Sequence, residues 1–380
     1  MEIYKNPPNL KTLGNIGIMG GAFNPIHYGH LAAAEAVRLE LELDLVLFIP
    51  TGRHVHKPVT GFGEHRYLMT LLATADNPHF FTSRMELDRP GATYTVDTLR
   101  ILRKNTDARL TFIVGADEIM KINSWKEPEA LKTLCDWAVV TRPGYTAESP
   151  NFPAKIIKTP MLDISSTDLR GRGSIKYLTP PHVERYVREM KGEDLEPIQQ
   201  AVAGKLSPSR YEHTLGVIET AVLLSARHGV NFRKAYLAAL LHDYAKEYSE
   251  NEKRALCREF GLVPDEVQDG FINLMHGPLS AEMARKEFGI TDEEILNPII
   301  YHTTGRAGMS PLEYIIKIAD NVEMKRPQFP GIDAIRALSA DSLEKGAAAS
   351  IRRDIEYTES KGRIIHSWGK EALKHLEGAI

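Results

Sequence analysis

The stretch that decides the fold is Gly20-Gly21-Ala22-Phe23-Asn24-Pro25-Ile26-His27-Tyr28-Gly29-His30. It follows a short apolar strand pattern at Ile16 and Ile18, and it precedes a helical pattern carrying Leu31, Ala34, Val37 and Leu41. Glycines at such a turn let backbone approach a ligand with no Cβ in the way, and a helix N-terminus offers unpaired N–H groups and partial positive charge. A phosphate fits that chemistry. His27 and His30 are three residues apart, so within one helical turn they share a face. Two imidazoles there can donate to oxygens on which charge grows during attack on phosphorus.

Working outward, strand-like runs recur at 45–49, 110–114 and 137–140, separated by helical patterns at 64–75 and 94–102. This alternation predicts an α/β domain, a parallel sheet with helices on both faces. A helix is expected over 181–190, then a polar, glycine-containing break at 191–194. Beyond it the strand signal ends and Ala- and Leu-rich helical patterns take over, as at 211–227 and 233–241. The reading is two domains, 1–194 and 195–380, the second all-α. A chain of 380 residues is too long for one ordinary core in any case, since single cores stop growing near roughly 250–300 residues. The two halves differ in periodicity, so they are not a duplication.

Composition narrows the function. Hydrophobic content of 43% and charged content of 26% are globular. A net charge of −3 gives no field for a nucleic-acid polymer. Cys135 and Cys257 form no C-x-x-C pair, which disfavours a disulfide framework or a cysteine zinc site. No apolar run suggests a signal peptide or a membrane helix. A cytoplasmic protein handling small phosphates is expected, with no membrane partner; a homo-oligomer is compatible with the sequence.

The 20–30 string, in its G-G-x-F-[DN]-P-x-H-x-G-H form, resembles the bacterial nicotinate-mononucleotide adenylyltransferases of the H-x-G-H nucleotidyltransferase superfamily. A second motif, Ile164-Ser165-Ser166-Thr167-Asp168-Leu169-Arg170, is similar to that family's I-S-S-T-x-x-R. By itself, a Ser/Thr run before a helix reads equally as N-capping. The resemblance spans residues 16–190 and implies a Rossmann-like fold, with AMP passing from ATP to nicotinate mononucleotide. The products are nicotinate adenine dinucleotide, the precursor of NAD, and pyrophosphate. It implies His27 and His30 as catalytic, and Gly20, Gly21, Phe23, Lys57, Ser165, Ser166, Thr167 and Arg170 as ATP-binding, with Mg²⁺ accompanying ATP. Thr95, Asp117, Trp125 and Arg142 would meet the acceptor, Trp125 by stacking on the nicotinate ring; a core tryptophan is the alternative reading. The family often has two prolines before His56-Lys57, where this chain has His54-Val55. The implied mechanism is direct in-line attack with no covalent intermediate.

In the second half, His213, His242-Asp243, His276, His302 and Asp320 fall inside helical patterns. Imidazole and carboxylate without thiolate suit a transition metal. The order resembles the HD-domain phosphohydrolases, and Leu240-Leu241-His242-Asp243-Tyr244-Ala245-Lys246, His302-Thr303-Thr304-Gly305 and Ile318-Ala319-Asp320-Asn321-Val322-Glu323 look like the YqeK type. That type cuts diadenosine tetraphosphate symmetrically into two ADP. The resemblance implies His213, His242, Asp243 and Asp320 as ligands of a metal, iron being favoured, with a water acidified by the metal attacking phosphorus, and Asp243 as catalytic. Arg210 and Lys246 sit one turn from His213 and Asp243 and can grip phosphate, as can Arg326. His276 and His302 would hold either a second metal or the phosphate. The competing reading is a silent nucleotide-binding or dimerisation module that regulates the transferase.

Overall fold

A computed structural model describes residues 1–53, 61–141, 152–159, 162 and 164–379. The chain divides into two compact units, Met1–Glu2 with Asn6–Arg188, and Ile3–Lys5 with Glu189–Ile380.

In the first unit the elements run β1 (Asn15–Gly21), α1 (Tyr28–Glu40), β2 (Leu45–Pro50), α2 (Gly63–Thr74), β3 (Phe80–Thr82), α3 (Thr95–Asn105), β4 (Arg109–Gly115), α4 (Ala116–Ile119), α5 (Pro128–Leu134), β5 (Asp136–Val140), β6 (Lys155–Ile157), α6 (Ser166–Gly171) and α7 (Pro181–Glu189). The strands form one parallel sheet in the order β3-β2-β1-β4-β5-β6. β2 is buried at every position, as expected of a parallel strand covered on both faces. Register places Ile16 beside Leu45 and Leu110, and Ile18 beside Leu47 and Phe112. One side of the sheet packs Ile16, Ile18, Leu47, Leu110 and Phe112 with Val96, Leu99 and Leu102 of α3 and with Trp137 and Phe152. The chain leaves β1 for β2 and β3 on one side, then crosses back from β3 to β4 on the other side of β1. The crevice beyond the carboxyl ends of β1 and β4 is therefore a topological switch point, where open α/β sheets bind ligands.

Two edge strands, β3 and β6, were not expected from sequence. Each has three residues, too few for periodicity to register.

The second unit is helical: α8 (Glu196–Lys205), α9 (Pro208–His228), α10 (Phe232–Leu241), α11 (Glu250–Phe260), α12 (Glu266–Gly270), α13 (His276–Phe288), α14 (Glu293–Tyr301), α15 (Pro311–Val322), α16 (Ile332–Asp341), α17 (Leu343–Ser360) and α18 (Ser367–Ala379). Pro208 stands in the first turn of α9, the Ser207 side chain caps it, and Gly229 closes it at φ 77°. Thirteen α9 residues are buried, on more than one face, and the helix packs against α10 and α15. It is the unit's central rod.

The division between units falls at 188/189, slightly ahead of the 194/195 boundary expected from the polar break. Contacts explain the difference. The Glu189 carboxylate accepts the Phe232 N–H at 2.6 Å, Glu193 pairs with Arg233 at 2.8 Å, and Leu195 is buried. Polar residues that look like a linker are thus fastened to the helical unit. Ile3 and Tyr4 belong there too, the Tyr4 hydroxyl lying 2.7 Å from Ser339 Oγ.

Candidate functional sites

At the end of β1 the chain turns through Phe23, which adopts φ 48° and is buried. A Cβ at Gly21 would stand 3.0 Å from the Phe23 ring, so the glycine there answers a close approach. His27 is the extended N-cap of α1 and is buried, and His30 is its third residue. Their rings stack with centroids 3.7 Å apart, although His27, as the extended N-cap, stands outside the helical turn that the three-residue spacing assumed. The His27 N–H donates to His30 Nδ1 at 3.3 Å. With Nδ1 accepting, His30 Nε2 carries the proton and is the nitrogen able to donate.

The second motif lies on the first. Ser165 caps α6, accepting the Asp168 N–H at 3.1 Å, so the capping reading of this serine holds. Ser166 Oγ donates to the Pro25 carbonyl at 2.9 Å, and Arg170 Nη1 donates to the Asn24 carbonyl at 2.8 Å while Nη2 reaches Thr167 Oγ1 at 3.1 Å. Tyr28 N–H donates to the Leu178 carbonyl at 3.1 Å. Hydroxyls and N–H groups from 165–170 therefore converge on the 22–27 turn across some 140 residues of sequence.

Across the switch point, Thr95 opens α3 and Asp117 sits in α4 directly after β4. Trp125 is half-buried, edge-on to Phe112 at 6.3 Å and to Trp137 at 6.1 Å. It borders the core and retains an exposed part. Lys126 lies over the Tyr94 ring at 4.4 Å and pairs with Asp97 at 3.0 Å. Lys57, Arg142 and the His54-Val55 departure lie outside the described residues.

In the helical unit, His213 comes from α9, His242 and Asp243 from the end of α10, His276 from the start of α13, His302 from the end of α14 and Asp320 from the last turn of α15. All are buried or nearly so. Two groups of ligand-type atoms form: His213, His242 and Asp320, and Asp243, His276 and His302. His213 Nε2 is 3.0 Å from Asp320 Oδ1, whereas Asp243 Oδ1 is 3.1 Å from His276 Nε2 and 3.6 Å from His302 Nε2. Asp243 Oδ2, 3.6 Å from His242 Nε2, joins the groups.

The imidazoles share one device. His242, His276 and His302 each place Nδ1 on the carbonyl three residues back, at 2.7, 2.5 and 2.8 Å. That contact fixes Nδ1 as the protonated nitrogen and turns the Nε2 lone pair inward. Among the described residues His242 Nε2 is buried with no hydrogen-bond partner, and the Nε2 atoms of His276 and His302 face each other at 2.9 Å. Lone pairs so arranged require a cation or a shared proton. The residues therefore fit a bound metal ion.

Charges follow suit. Burial pulls His242 down to about 4, against the nearby Asp243 carboxylate, and pulls His276 down to about 3 with help from Lys246. Both imidazoles are neutral near neutral pH. Burial alone would raise Asp243, but His242 and Lys246 hold it well below the carboxylate range; for Asp320 the His213 hydrogen bond and Arg326 do the same. Arg210 Nη1 is 2.9 Å from Asp243 Oδ2, Arg326 Nη2 is 2.7 Å from Asp320 Oδ1, and Lys246 Nζ is 3.1 Å from His276 Nε2. The three cations expected to grip phosphate thus rim the cluster.

Sequence reasoning missed two residues. Glu323, buried, sets Oε1 3.2 Å from His213 Nδ1; its signal was an acid three residues after Asp320. Arg66, buried in α2, donates to three backbone carbonyls near the 20–30 turn. Nothing in its sequence surroundings set it apart from a solvated arginine.

Comparison with known proteins agrees with this division. The Cytidylyltransferase-like family matches residues 18–172 and the HD domain matches residues 210–325. The probable nicotinate-nucleotide adenylyltransferase of Clavibacter michiganensis is 48% identical over 180 residues, covering 45% of this chain and 90% of that protein. The protein so named from Moorella thermoacetica is 47% identical over 195 residues, covering 46% and 89%. A solved structure from Clostridium acetobutylicum, described as a predicted HD superfamily hydrolase involved in NAD metabolism, is 34% identical, covers 50% of this chain and 99% of that one, and has a TM-score of 0.48. The identity and coverage of the Clavibacter and Moorella relatives show that the chain belongs to the nicotinate-nucleotide adenylyltransferase family through its first unit, and the matching family model shows that an HD domain follows in the same chain.

Proposed function

We propose that the protein is bifunctional, its first unit transferring AMP from ATP to nicotinate mononucleotide and its second hydrolysing diadenosine tetraphosphate to two ADP or acting on a related nucleotide. The observation that carries the first part is the hydrogen-bonded junction of the 20–30 turn with 165–170, through Ser166 to Pro25 and Arg170 to Asn24. Both phosphate-type motifs then stand at the carboxyl end of β1, where a triphosphate can be held across the switch point.

In this reading the mononucleotide phosphate attacks the α-phosphorus in line and pyrophosphate leaves, Mg²⁺ travelling with ATP as part of the substrate. His30 Nε2–H and His27 meet the charge that grows on the α-phosphate oxygens. Gly20, Gly21 and Phe23 shape the cradle, and Ser165, Ser166, Thr167, Arg170 and Lys57 take the outer phosphates. Thr95, Asp117, Trp125 and Arg142 receive the acceptor.

For the second unit, His213, His242, Asp243 and Asp320 would hold a transition metal, iron being favoured, and His276 with His302 completes a second group beside Asp243. Such an ion, when bound, supplies Lewis acidity toward phosphoryl oxygen and water. Arg210, Lys246 and Arg326 offer the cationic donors that a polyphosphate chain needs.

One profiling experiment tests both halves. The purified protein is given ATP with nicotinate mononucleotide, and separately diadenosine tetraphosphate with and without chelator. Nicotinate adenine dinucleotide with pyrophosphate, and ADP as the sole chelator-sensitive product, are expected. Absence of dinucleotide overturns the first assignment. ATP plus AMP as products contradicts symmetrical cleavage, and metal-loaded protein that cleaves nothing favours the regulatory-module reading of the HD domain.

A further inference from the structure

Arg66 is 3% exposed, yet among the described residues it forms no ion pair. Its guanidinium spends its donors on backbone carbonyls: Nη1 to Ala22 at 3.0 Å, Nη2 to Thr51 at 2.7 Å and Nε to Gly61 at 3.3 Å. These carbonyls mark the turn after β1, the residue after β2 and the approach to α2. The first two lie just beyond the carboxyl ends of β1 and β2. Gly61, at φ 84°, in turn packs on the Asn24 side chain, where an added Cβ would stand 2.6 Å from Nδ2.

A buried cation without a counter-ion is costly, because carbonyl dipoles replace only part of its hydration. Burial draws the Arg66 guanidinium down to about 10, and the more distant Glu86 carboxylate offsets only part of that. The residue therefore stays charged at neutral pH. Had only the fold required three donors, a neutral amide network would hold carbonyls without this charge. A cation bonded to the backbone of a turn whose glycines and helix N-terminus suit a phosphate has a purpose when an anion binds there.

We propose that Arg66 is a positioning residue for the nucleotide's phosphates: it fastens Ala22, Thr51 and Gly61, and the part of its charge that Glu86 leaves uncompensated is met by the phosphates held on the 20–30 turn. This rests on the first unit being an ATP-using transferase. The role is distinct from that of Arg170, which is exposed and bonds a different carbonyl of the same turn, that of Asn24.

The test uses the full chain, with Arg66→Gln and Arg66→Lys, and measures Kd for ATP and for AMP together with the melting temperature of the nucleotide-free protein. Loss of the charge should raise the ATP Kd by about tenfold or more, and the AMP Kd much less, because the electrostatic gain grows with phosphate charge. Lysine keeps the charge, so its AMP-to-ATP ratio of Kd values should stay within about threefold of the natural protein's, although its melting temperature falls with the lost carbonyl contacts. An unchanged ratio in Arg66→Gln, with only a lower melting temperature, makes Arg66 a structural bolt and overturns the proposal. If the glutamine protein does not fold, the lysine protein decides alone: a collapsed ratio there overturns it. Failure of the natural protein to make dinucleotide would instead sink the transferase reading, leaving the two failures separable.

Discussion

Glu323 Oε1 stands 3.2 Å from His213 Nδ1, while His213 Nε2 faces Asp320 at 3.0 Å. Burial disfavours the charged imidazole, but hydrogen bonds to Asp320 and Glu323 outweigh it and raise His213 above its usual range. A buried carboxylate behind a ligand histidine fixes the ring and strengthens it as a donor, and loss of such a partner typically costs about tenfold to a hundredfold in metal affinity. Glu323→Gln is expected to weaken metal binding by that factor with the fold retained. Gly216→Ala should act in the same direction without touching a ligand, since a Cβ there would stand 2.9 Å from Glu323 Cδ. Titration of apo-protein with metal checks both; unchanged affinity in both variants refutes the role.

The stacked His27 and His30 rings make a prediction for the first unit. Replacing either by Ala should lower kcat by about a hundredfold to a thousandfold, about 2.7 to 4 kcal/mol of lost stabilisation. Steady-state pyrophosphate release measures this, with circular dichroism to establish that the fold survives. Near-normal turnover in either variant removes the histidines from the chemistry.

Acceptor choice is a separate matter. Nicotinate mononucleotide should be preferred over the nicotinamide form by at least about a hundredfold in kcat/KM, as expected of a site that places polar groups for one partner. Trp125→Ala should raise KM for the acceptor and leave KM for ATP nearly unchanged. Equal use of the two acceptors would contradict the assignment.

Independence of the two sites follows from their containment in different units. Asp243→Ala should abolish both metal retention and hydrolysis but spare transfer, and His27→Ala should do the reverse, because sites in separate units without shared partners behave additively. Diadenosine tetraphosphate cleavage that survives Asp243→Ala and chelator would eliminate the metal mechanism.

Acid should destabilise the metal-free protein in a defined window. His242 at about 4 and His276 at about 3 lie below the unfolded value of about 6.5. The folded chain then binds fewer protons than the unfolded chain, so stability present above pH of about 6.5 is lost as pH falls through the folded values. Denaturant midpoints in chelator, compared between pH 7 and pH 4.5, should show the decline, and His242→Gln should flatten it. An equally steep decline in that variant would locate the acid sensitivity elsewhere.

Local patterning was sufficient for much of this protein. The strand-turn-helix at 15–40, the strands near 45, 110 and 137, the change to all-helical texture and each histidine of the HD cluster were legible because their signals lie within a few neighbouring residues. What depended on tertiary structure was pairing. Strands β3 and β6 are three residues long and exist because a sheet edge offers them partners. The linker-like acids Glu189 and Glu193 join the helical unit because Phe232 and Arg233 happen to face them. His276 and His302 acquire a common partner only when α13 and α14 bring both Nε2 atoms to Asp243. Arg66 looks like any surface cation until folding buries it under Ala22 and Thr51. Sequence determines which groups are available and how a helix or strand presents them, since those depend on short-range geometry; whether a charge is solvated, paired or left for a ligand depends on what long-range packing sets beside it.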